Sequence, residues 1–360
     1  MTTILITGGA GFIGSHVAEG ALECGDAVRV LDSLRPDVHG GEGCRLRPHR
    51  RLEVVRGDLL EAGLDAILDG VDVVCHQAAK VGLGVDLDDA PDYALTNDVG
   101  TAALLASMAR TGVDALVLAS SMVVYGEGAY RDALGPVAAP PRDPEDLRAG
   151  RFEPRSPRTG EPLAPALVTE DAPLDPRNVY AASKVAQEHY ASAWARATGG
   201  RVAALRYHNV YGPHMPADTP YAGVASIFRS ALERGVAPTV LEDGLQRRDF
   251  VHVRDVAAAN LAAIDWALLR PPGAVRAFNV ASGEARTIGE MARALCDAFG
   301  GPDPVVTGGF RLGDVRHVTA SNARAVSELG WRPRVPFAEG MREFASAPLR
   351  APARARAAIA

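Results

Sequence analysis

The chain has 360 residues, with 38 Lys plus Arg against 44 Asp plus Glu and a formal net charge of −6. Hydrophobic residues at 47% and charged residues at 23% are ordinary for a folded protein and exclude a disordered chain. The acidic balance gives no general attraction to nucleic acid or an anionic membrane, and no run of about 18 apolar residues suggests a transmembrane helix.

In chain order, residues 3–7 (TILIT) form an apolar, β-rich run. Gly8, Gly9, Gly11 and Gly14 follow, then a helical stretch stopped by Gly25. The pattern reads as strand, tight glycine turn, helix. AVRVLD (27–32), LEVVRGD (52–58), VDVVCHQAA (71–79) and DALVLASS (114–121) read as four further strands, with a helix near 97–111 before the last. Such alternation predicts α/β architecture, a doubly wound parallel sheet with helices on both faces. Residues 127–170 are rich in Pro, Arg, Asp and Gly and lack periodicity, so a surface excursion with one short helix is expected. VYAASKVAQEHYASAWARA (179–197) is a strong helix, and GRVAALRYHNVYGP (200–213) starts as a strand. Beyond it the pattern is less regular, and the tail from about 346 reads as frayed.

Cys24, Cys44, Cys75 and Cys296 lie far apart with no CxxC pair, a reduced pattern without a zinc site or disulfide framework. MTTILITGGAG lacks the basic start and apolar stretch of a signal peptide. A cytoplasmic protein is the expectation.

The glycine turn opens a helix directly after the first strand, which suits a backbone that must approach a pyrophosphate at a helix N-terminus. Asp32 ends the second strand, where a carboxylate binds ribose hydroxyls and repels a 2′-phosphate, so NAD is expected rather than NADP. Arg35 lies close by and could partly accommodate a phosphate. Asp58, ending the third strand, is placed either to meet the adenine or to hold a turn.

Tyr180 and Lys184 sit at i and i+4, on one helix face. A nearby ammonium favours the phenolate, so such a tyrosine can act as a base near neutral pH. The chain holds two lysines, Lys80 and Lys184, against 36 arginines, so a lysine here points to a need for an ammonium group. Ser121 ends a parallel strand, at the edge where open α/β sheets bind ligands.

TGGAGFIGSH, HQAA (76–79), SSMVVYG (120–126), YAASK (180–184), RYHNVYGP (206–213) and RRDFVHVRD (247–255) together resemble the extended short-chain dehydrogenase/reductase family, within it the NAD-dependent nucleotide-sugar epimerase/dehydratase group. The resemblance spans about residues 3–330. It implies a Rossmann-type NAD domain over 1–205, carrying the 127–170 insertion. A smaller C-terminal nucleotide-sugar domain over 206–345 is implied too, with segments returning to the first, before a tail over 346–360.

By the same matching, Gly8, Gly11, Phe12 and Ile13 border the cofactor with Asp32, Asp58 and Leu59. Ala78 and Ala79 line it through their backbone, and Asn97 braces the central helix and the site. Tyr180 and Lys184 complete the cofactor contacts, and with Ser121 they form the catalytic set. Ser121, Met122, Asn209 and Arg248 face the substrate, Arg248 and Arg311 as two arginines for its diphosphate. Lys80 is expected on the sugar or the diphosphate, or else is a surface lysine. His208 either shapes sugar preference or packs.

Dehydratases of the family resemble Thr-Asp-Glu where this chain has Ser121-Met122-Val123. Met and Val cannot move protons, so the resemblance implies a redox-neutral 4-epimerase. A dTDP-hexose is expected as substrate, with dTDP-L-rhamnose a candidate and UDP-hexoses behind it. A 4-ketosugar reductase and a noncatalytic NAD-responsive binding protein are the alternatives. The segment around Arg151–Leu163 resembles an insertion of bacterial dTDP-L-rhamnose 4-epimerase-like enzymes. Ser156 and Thr159 stand where a Cys-paired knuckle would place cysteines, so no metal is expected. The family resemblance also implies a homodimer.

Overall fold

The computed structural model describes residues 1–39, 43–61, 63–82, 87–217 and 223–350. The first half contains β1 (Thr3–Thr7), α1 (Phe12–Cys24), β2 (Ala27–Asp32), α2 (Pro36–His39), β3 (Leu52–Arg56), α3 (Leu64–Ile67), β4 (Val73–His76), α4 (Ala90–Tyr93), α5 (Gly100–Thr111) and β5 (Ala115–Ser121). The insertion carries β6 (Ala129–Asp132), β7 (Gly135–Val137), α6 (Pro144–Arg148) and β8 (Ala164–Ala166). Then come α7 (Val179–Thr198), β9 (Arg201–Tyr207), β10 (Asn209–Tyr211), α8 (Val224–Glu233), β11 (Thr239–Val240), β12 (Arg247–His252) and α9 (Val253–Leu269). The chain continues through β13 (Val275–Val280), β14 (Ala285–Thr287), α10 (Ile288–Phe299), β15 (Val305–Val306) and α11 (Phe337–Ser346).

Seven strands form one parallel sheet in the order β13-β9-β5-β4-β1-β2-β3. Side chains alternate across it, as the two-residue period of a strand requires. Ile4, Ile6, Val73, Cys75, Val117 and Ala119 face α1 and α9 on one side. Leu5, Val74, Leu116 and Leu118 face α3, α5 and α7 on the other. Both faces are covered, which is why β5 reads as an unbroken buried run. The expected Rossmann-type sheet is therefore present, and β13 and α9 return to it from late in the chain.

The rest of the C-terminal half is built on a third core around Tyr211, Met215, Phe228, Met291, Leu295 and Phe344, between α8, α10 and α11. Its small sheets are β10-β12-β14 and β11-β15.

Two expectations need correction. The 127–170 excursion holds a three-stranded antiparallel sheet, β7-β6-β8, besides the short helix α6. Its strands are three or four residues long, too short for a period to register in the sequence. The β6–β7 turn is set by Asp132, whose carboxylate accepts from Leu134 N at 2.8 Å, and by Gly135 at φ +114°. The frayed tail expected over 346–360 lies outside the described residues from 351 onward. Residues 348–350 are ordered along 214–217, with His214 N on Pro348 O and Arg350 N on Met215 O.

Candidate active site

The glycine turn is closed by its own backbone. Gly11 N donates to Gly8 O at 3.0 Å and Ser15 N to Gly11 O at 3.1 Å. Gly8 sits at φ +67°, and a Cβ there would meet the Ala78 backbone at 2.7 Å; one on Gly14 would meet Gly8 O at 2.3 Å. Glycines thus bring the turn against the end of β4 and α1 against the turn. Gly11 caps α1 with no side-chain hydrogen bond, and the first turn carries no acidic residue. Its N–H groups are therefore not satisfied by a side chain, which suits a dinucleotide diphosphate. Phe12 and Ile13 follow the turn and pack into the third and first cores, while Leu59 lies in the second.

Asp32 ends β2 and is buried. Its carboxylate accepts from Ala10 N (3.0 Å), Leu34 N (2.9 Å) and the His39 ring (3.3 Å). Burial works to raise its pKa, but these donors win and hold it below the usual value. Arg35 does not stand by for a phosphate: it forks onto the Asp92 carboxylate at 3.1 Å. Asp58 takes the turn role, accepting from Leu60 N at 3.0 Å.

Asn178, two residues before Tyr180, caps α7 by accepting from Ala181 N at 2.8 Å, and so fixes where the helix starts. Tyr180 and Ser121 are brought near each other: the Ser121 hydroxyl, which accepts from Val123 N at 3.4 Å, favours ionisation of the phenol. Burial pushes Tyr180 up to about 12, and Ser121 draws it back only in part. Lys184 is buried, and its Nζ donates to Ala119 O at 2.8 Å. Burial pulls its pKa down to about 7, against the pull of Glu188 and Asp98. The expectation that Lys184 lowers the Tyr180 pKa is not met in this arrangement, because the ammonium is turned to the strand carbonyl. Met122 follows Ser121 in a short 3₁₀ turn, partly buried.

Asn97 is fully buried and bonds both sides of the site. Its Oδ1 accepts from Lys80 N (2.8 Å), and its Nδ2 donates to Lys80 O (3.0 Å) and Ser183 Oγ (2.8 Å). It thereby ties the segment after β4, with Ala78 and Ala79, to α7. Lys80 does not point as expected. Its ammonium is held by Asp89 at 2.9 Å and Asp92 at 2.8 Å, above the Tyr93 ring. These two carboxylates give Lys80 an anchoring place beside the segment after β4.

Of the residues expected at the substrate, Asn209 has its Oδ1 buried without a hydrogen-bond partner among the described residues. Arg248 donates to the carbonyls of Arg247, Arg316 and Val315 at 2.8–2.9 Å and makes no ion pair among the described residues. A guanidinium held by neutral carbonyls keeps its charge available for an anion. Arg311 is exposed beside Asp314. His208 is buried, and burial pushes it down to about 3, so its ring is neutral.

Sequence reasoning missed the support beneath Lys184. Arg206 forks onto Glu188 at 2.7 and 2.9 Å, and Ser120 Oγ bonds the same carboxylate. His76 links Thr7 Oγ1 and Thr101 Oγ1 at 2.7 and 2.9 Å. The i, i+4 spacing of Lys184 and Glu188 was a usable signal. Nothing in the sequence marked Arg316, the largest fully buried side chain among those described.

A glycine turn between the first strand and helix, a carboxylate ending the second strand, and a Ser–Tyr–Lys set at the sheet edge define a dinucleotide-binding α/β protein. The chain belongs to the NAD dependent epimerase/dehydratase family, whose profile matches residues 4–157 and 158–281, and NAD is its cofactor. It is 37% identical to the dTDP-L-rhamnose 4-epimerase of Burkholderia thailandensis over 348 residues, 95% of this chain and 93% of that protein. The Thermus thermophilus UDP-glucose 4-epimerase, solved with NAD, superposes with a TM-score of 0.74 at 30% identity, over 96% of this chain and 98% of the other. The UDP-N-acetylglucosamine 4-epimerase of Methanobrevibacter ruminantium, in complex with UDP-N-acetylmuramic acid, gives a TM-score of 0.77 at 26% identity, over 96% and 97%.

Proposed function

We propose that this protein is an NAD-dependent nucleotide-sugar 4-epimerase with Ser121, Tyr180 and Lys184 as its catalytic set. The observation that carries the reading is the end of β5, where Ser121 closes the strand and Lys184 of the Tyr180 helix reaches Ala119 O, with Met122 and Val123 in place of proton-moving side chains. Bound NAD supplies the hydride acceptor and donor. Tyr180 takes the proton of the sugar 4-hydroxyl and later returns it, and Ser121 holds the same oxygen. Lys184 binds the nicotinamide ribose; once turned from Ala119 it stabilises the phenolate four residues away. Asp32, the glycine turn and the backbone at Ala78 and Ala79 hold the cofactor. Asn209, Arg248 and Arg311 hold the nucleotide diphosphate.

A dTDP-hexose is the proposed substrate, with dTDP-L-rhamnose first, and the 37% identity to the Burkholderia enzyme supports that choice. Residues 1–205 are assigned to the cofactor and most of 206–345 to the nucleotide sugar. A homodimer through α5 and α7 is proposed: Leu95 and Val99 just before α5, and Tyr190 on α7, are 46–52% exposed. Among the described residues no helix is long and apolar enough to cross a membrane, and a cytoplasmic setting is proposed.

The test incubates purified protein with a panel of dTDP- and UDP-sugars, following product stereochemistry by NMR and the reduced-nicotinamide absorbance. Conversion to a 4-epimer without net NADH is expected. Stoichiometric nicotinamide change would overturn the reading in favour of a reductase. Light scattering at micromolar concentration tests the dimer, and a monomer would refute it.

A further inference from the structure

The 127–170 insertion grips one short segment, residues 314–318, and that segment holds Arg248. The side chain of Arg142, in the insertion, is 5% exposed and its guanidinium forks two ways. Its Nη1 meets Glu242 Oε1 at 2.7 Å and its Nη2 donates to Asp314 O at 2.5 Å. The other Glu242 oxygen accepts from Arg316 Nη1 at 2.8 Å. Arg316 also pairs with Asp243 at 2.7 Å and with Glu153 of the insertion at 2.6 Å. Its guanidinium lies over the Phe152 ring, and its backbone N–H donates to Glu127 Oε2 at 3.2 Å.

The next residue is bound as tightly. Arg247 N donates to His317 Nδ1 at 3.0 Å, so the ring proton sits on Nε2, which donates to Glu153 Oε2 at 2.8 Å. His317 N donates to Tyr130 Oη at 3.1 Å. Gly128, at φ +82°, lets the insertion pass so close that a Cβ would stand 2.5 Å from His317 O. In the same segment, the carbonyls of Val315 and Arg316 receive the Arg248 guanidinium at 2.8 and 2.9 Å.

Glu242 adopts φ +53°, a left-handed conformation uncommon for a non-glycine residue. Such backbone persists where the surroundings over-determine it, and here two buried arginine side chains do so. A closed surface insertion would need no such contacts.

We infer that the insertion is a positioning device for the diphosphate arginine, with Arg142, through Glu242 and the Asp314 carbonyl, fixing the segment that aims Arg248. The inference rests on the reading of Arg248 as a ligand of the substrate diphosphate. Arg142 acts through other groups and touches no substrate.

The test measures binding of dTDP and dTMP, with UDP and UMP in parallel, to the NAD-loaded enzyme by calorimetry, alongside steady-state kinetics. Arg248→Gln should erase most of the preference for diphosphate over monophosphate, a loss of about 10–100-fold for one charge-assisted contact. Arg142→Met should lose roughly ten-fold of the same preference, raise KM and leave kcat at saturation largely in place, with Arg142→Lys in between. Tyr130→Phe loosens the same segment without removing a charge, and keeps the inference testable if Arg142→Met does not fold. If Arg248→Gln loses the preference while Arg142→Met or Tyr130→Phe keeps all of it, the positioning role is refuted and the Arg248 reading stands. If Arg248→Gln keeps the preference, the reading of Arg248 falls and the inference with it.

Discussion

Replacing Lys184 by Met should make the NAD-free protein more stable while it stops turnover. Lys184 is 3% exposed and among the described residues its ammonium has one hydrogen bond, to Ala119 O. Burial lowers its pKa from 10.5 to about 7. At about 1.4 kcal/mol per pKa unit, the folded state at pH 7 gives up on the order of 4 kcal/mol relative to the unfolded chain. Methionine has similar length and no charge. It leaves the Ala119 carbonyl without its ammonium donor, a loss of about 1–3 kcal/mol. The net gain at pH 7 is about 1–3 kcal/mol, or roughly 2–4 °C for a chain of this size. The sign with pH follows from proton counting. Between pH 7 and 10.5 the unfolded lysine keeps a proton that the folded one has lost, so wild-type stability rises with pH across that window. The advantage of Lys184→Met should therefore shrink by about 2 kcal/mol from pH 7 to pH 9. Thermal melts of both NAD-free proteins at pH 7, 8 and 9 measure it. A variant that melts below wild type at pH 7, or a difference that does not move with pH, would refute the reasoning.

Tyr180→Phe should lower kcat by about 10²–10⁴-fold with NAD still bound, read from turnover and from the cofactor content of the purified protein; near-normal turnover would sink the assignment of the base. Gly14→Ala places a Cβ 2.3 Å from Gly8 O, so the turn must open, with a stability loss of about 1–3 kcal/mol and loss of copurified NAD. A full NAD complement in that variant would contradict the fit. Lys80→Met leaves Asp89 and Asp92 without their shared ammonium. A stability loss of about 1–3 kcal/mol with KM within about two-fold is expected; a large KM change at an unchanged melting temperature would restore Lys80 to the substrate.

The elements around the cofactor were legible because each combines a period with punctuation. β1 is an apolar run ended by a glycine turn, and α7 runs from its Asn178 cap to Gly199. The Tyr180–Lys184 pair was legible through spacing and the rarity of lysine. The partners of side chains were not. Lys80 and Arg35 share Asp92, a residue on another element that no local pattern connects to either. The short strands of the insertion and the burial of Arg316 depend on contacts between residues far apart in the chain, such as Glu153 with Arg316 and Tyr130 with His317.

Between α4 and α5 the helix widens into a π-helical stretch over Ala94–Val99. Such a stretch swells the coil by a residue and gives up good backbone hydrogen-bond geometry. Its return is angular. Successive residues of a regular helix step by about 100° around the axis, so the widening decides which compass direction Asn97 faces. Here it faces Lys80 and Ser183 at once. Removing one residue from the stretch would let the coil relax into a regular helix and dial Asn97 out of the gap between them. The helix would improve by every local measure, and the cofactor edge and the tyrosine helix would lose their common rivet.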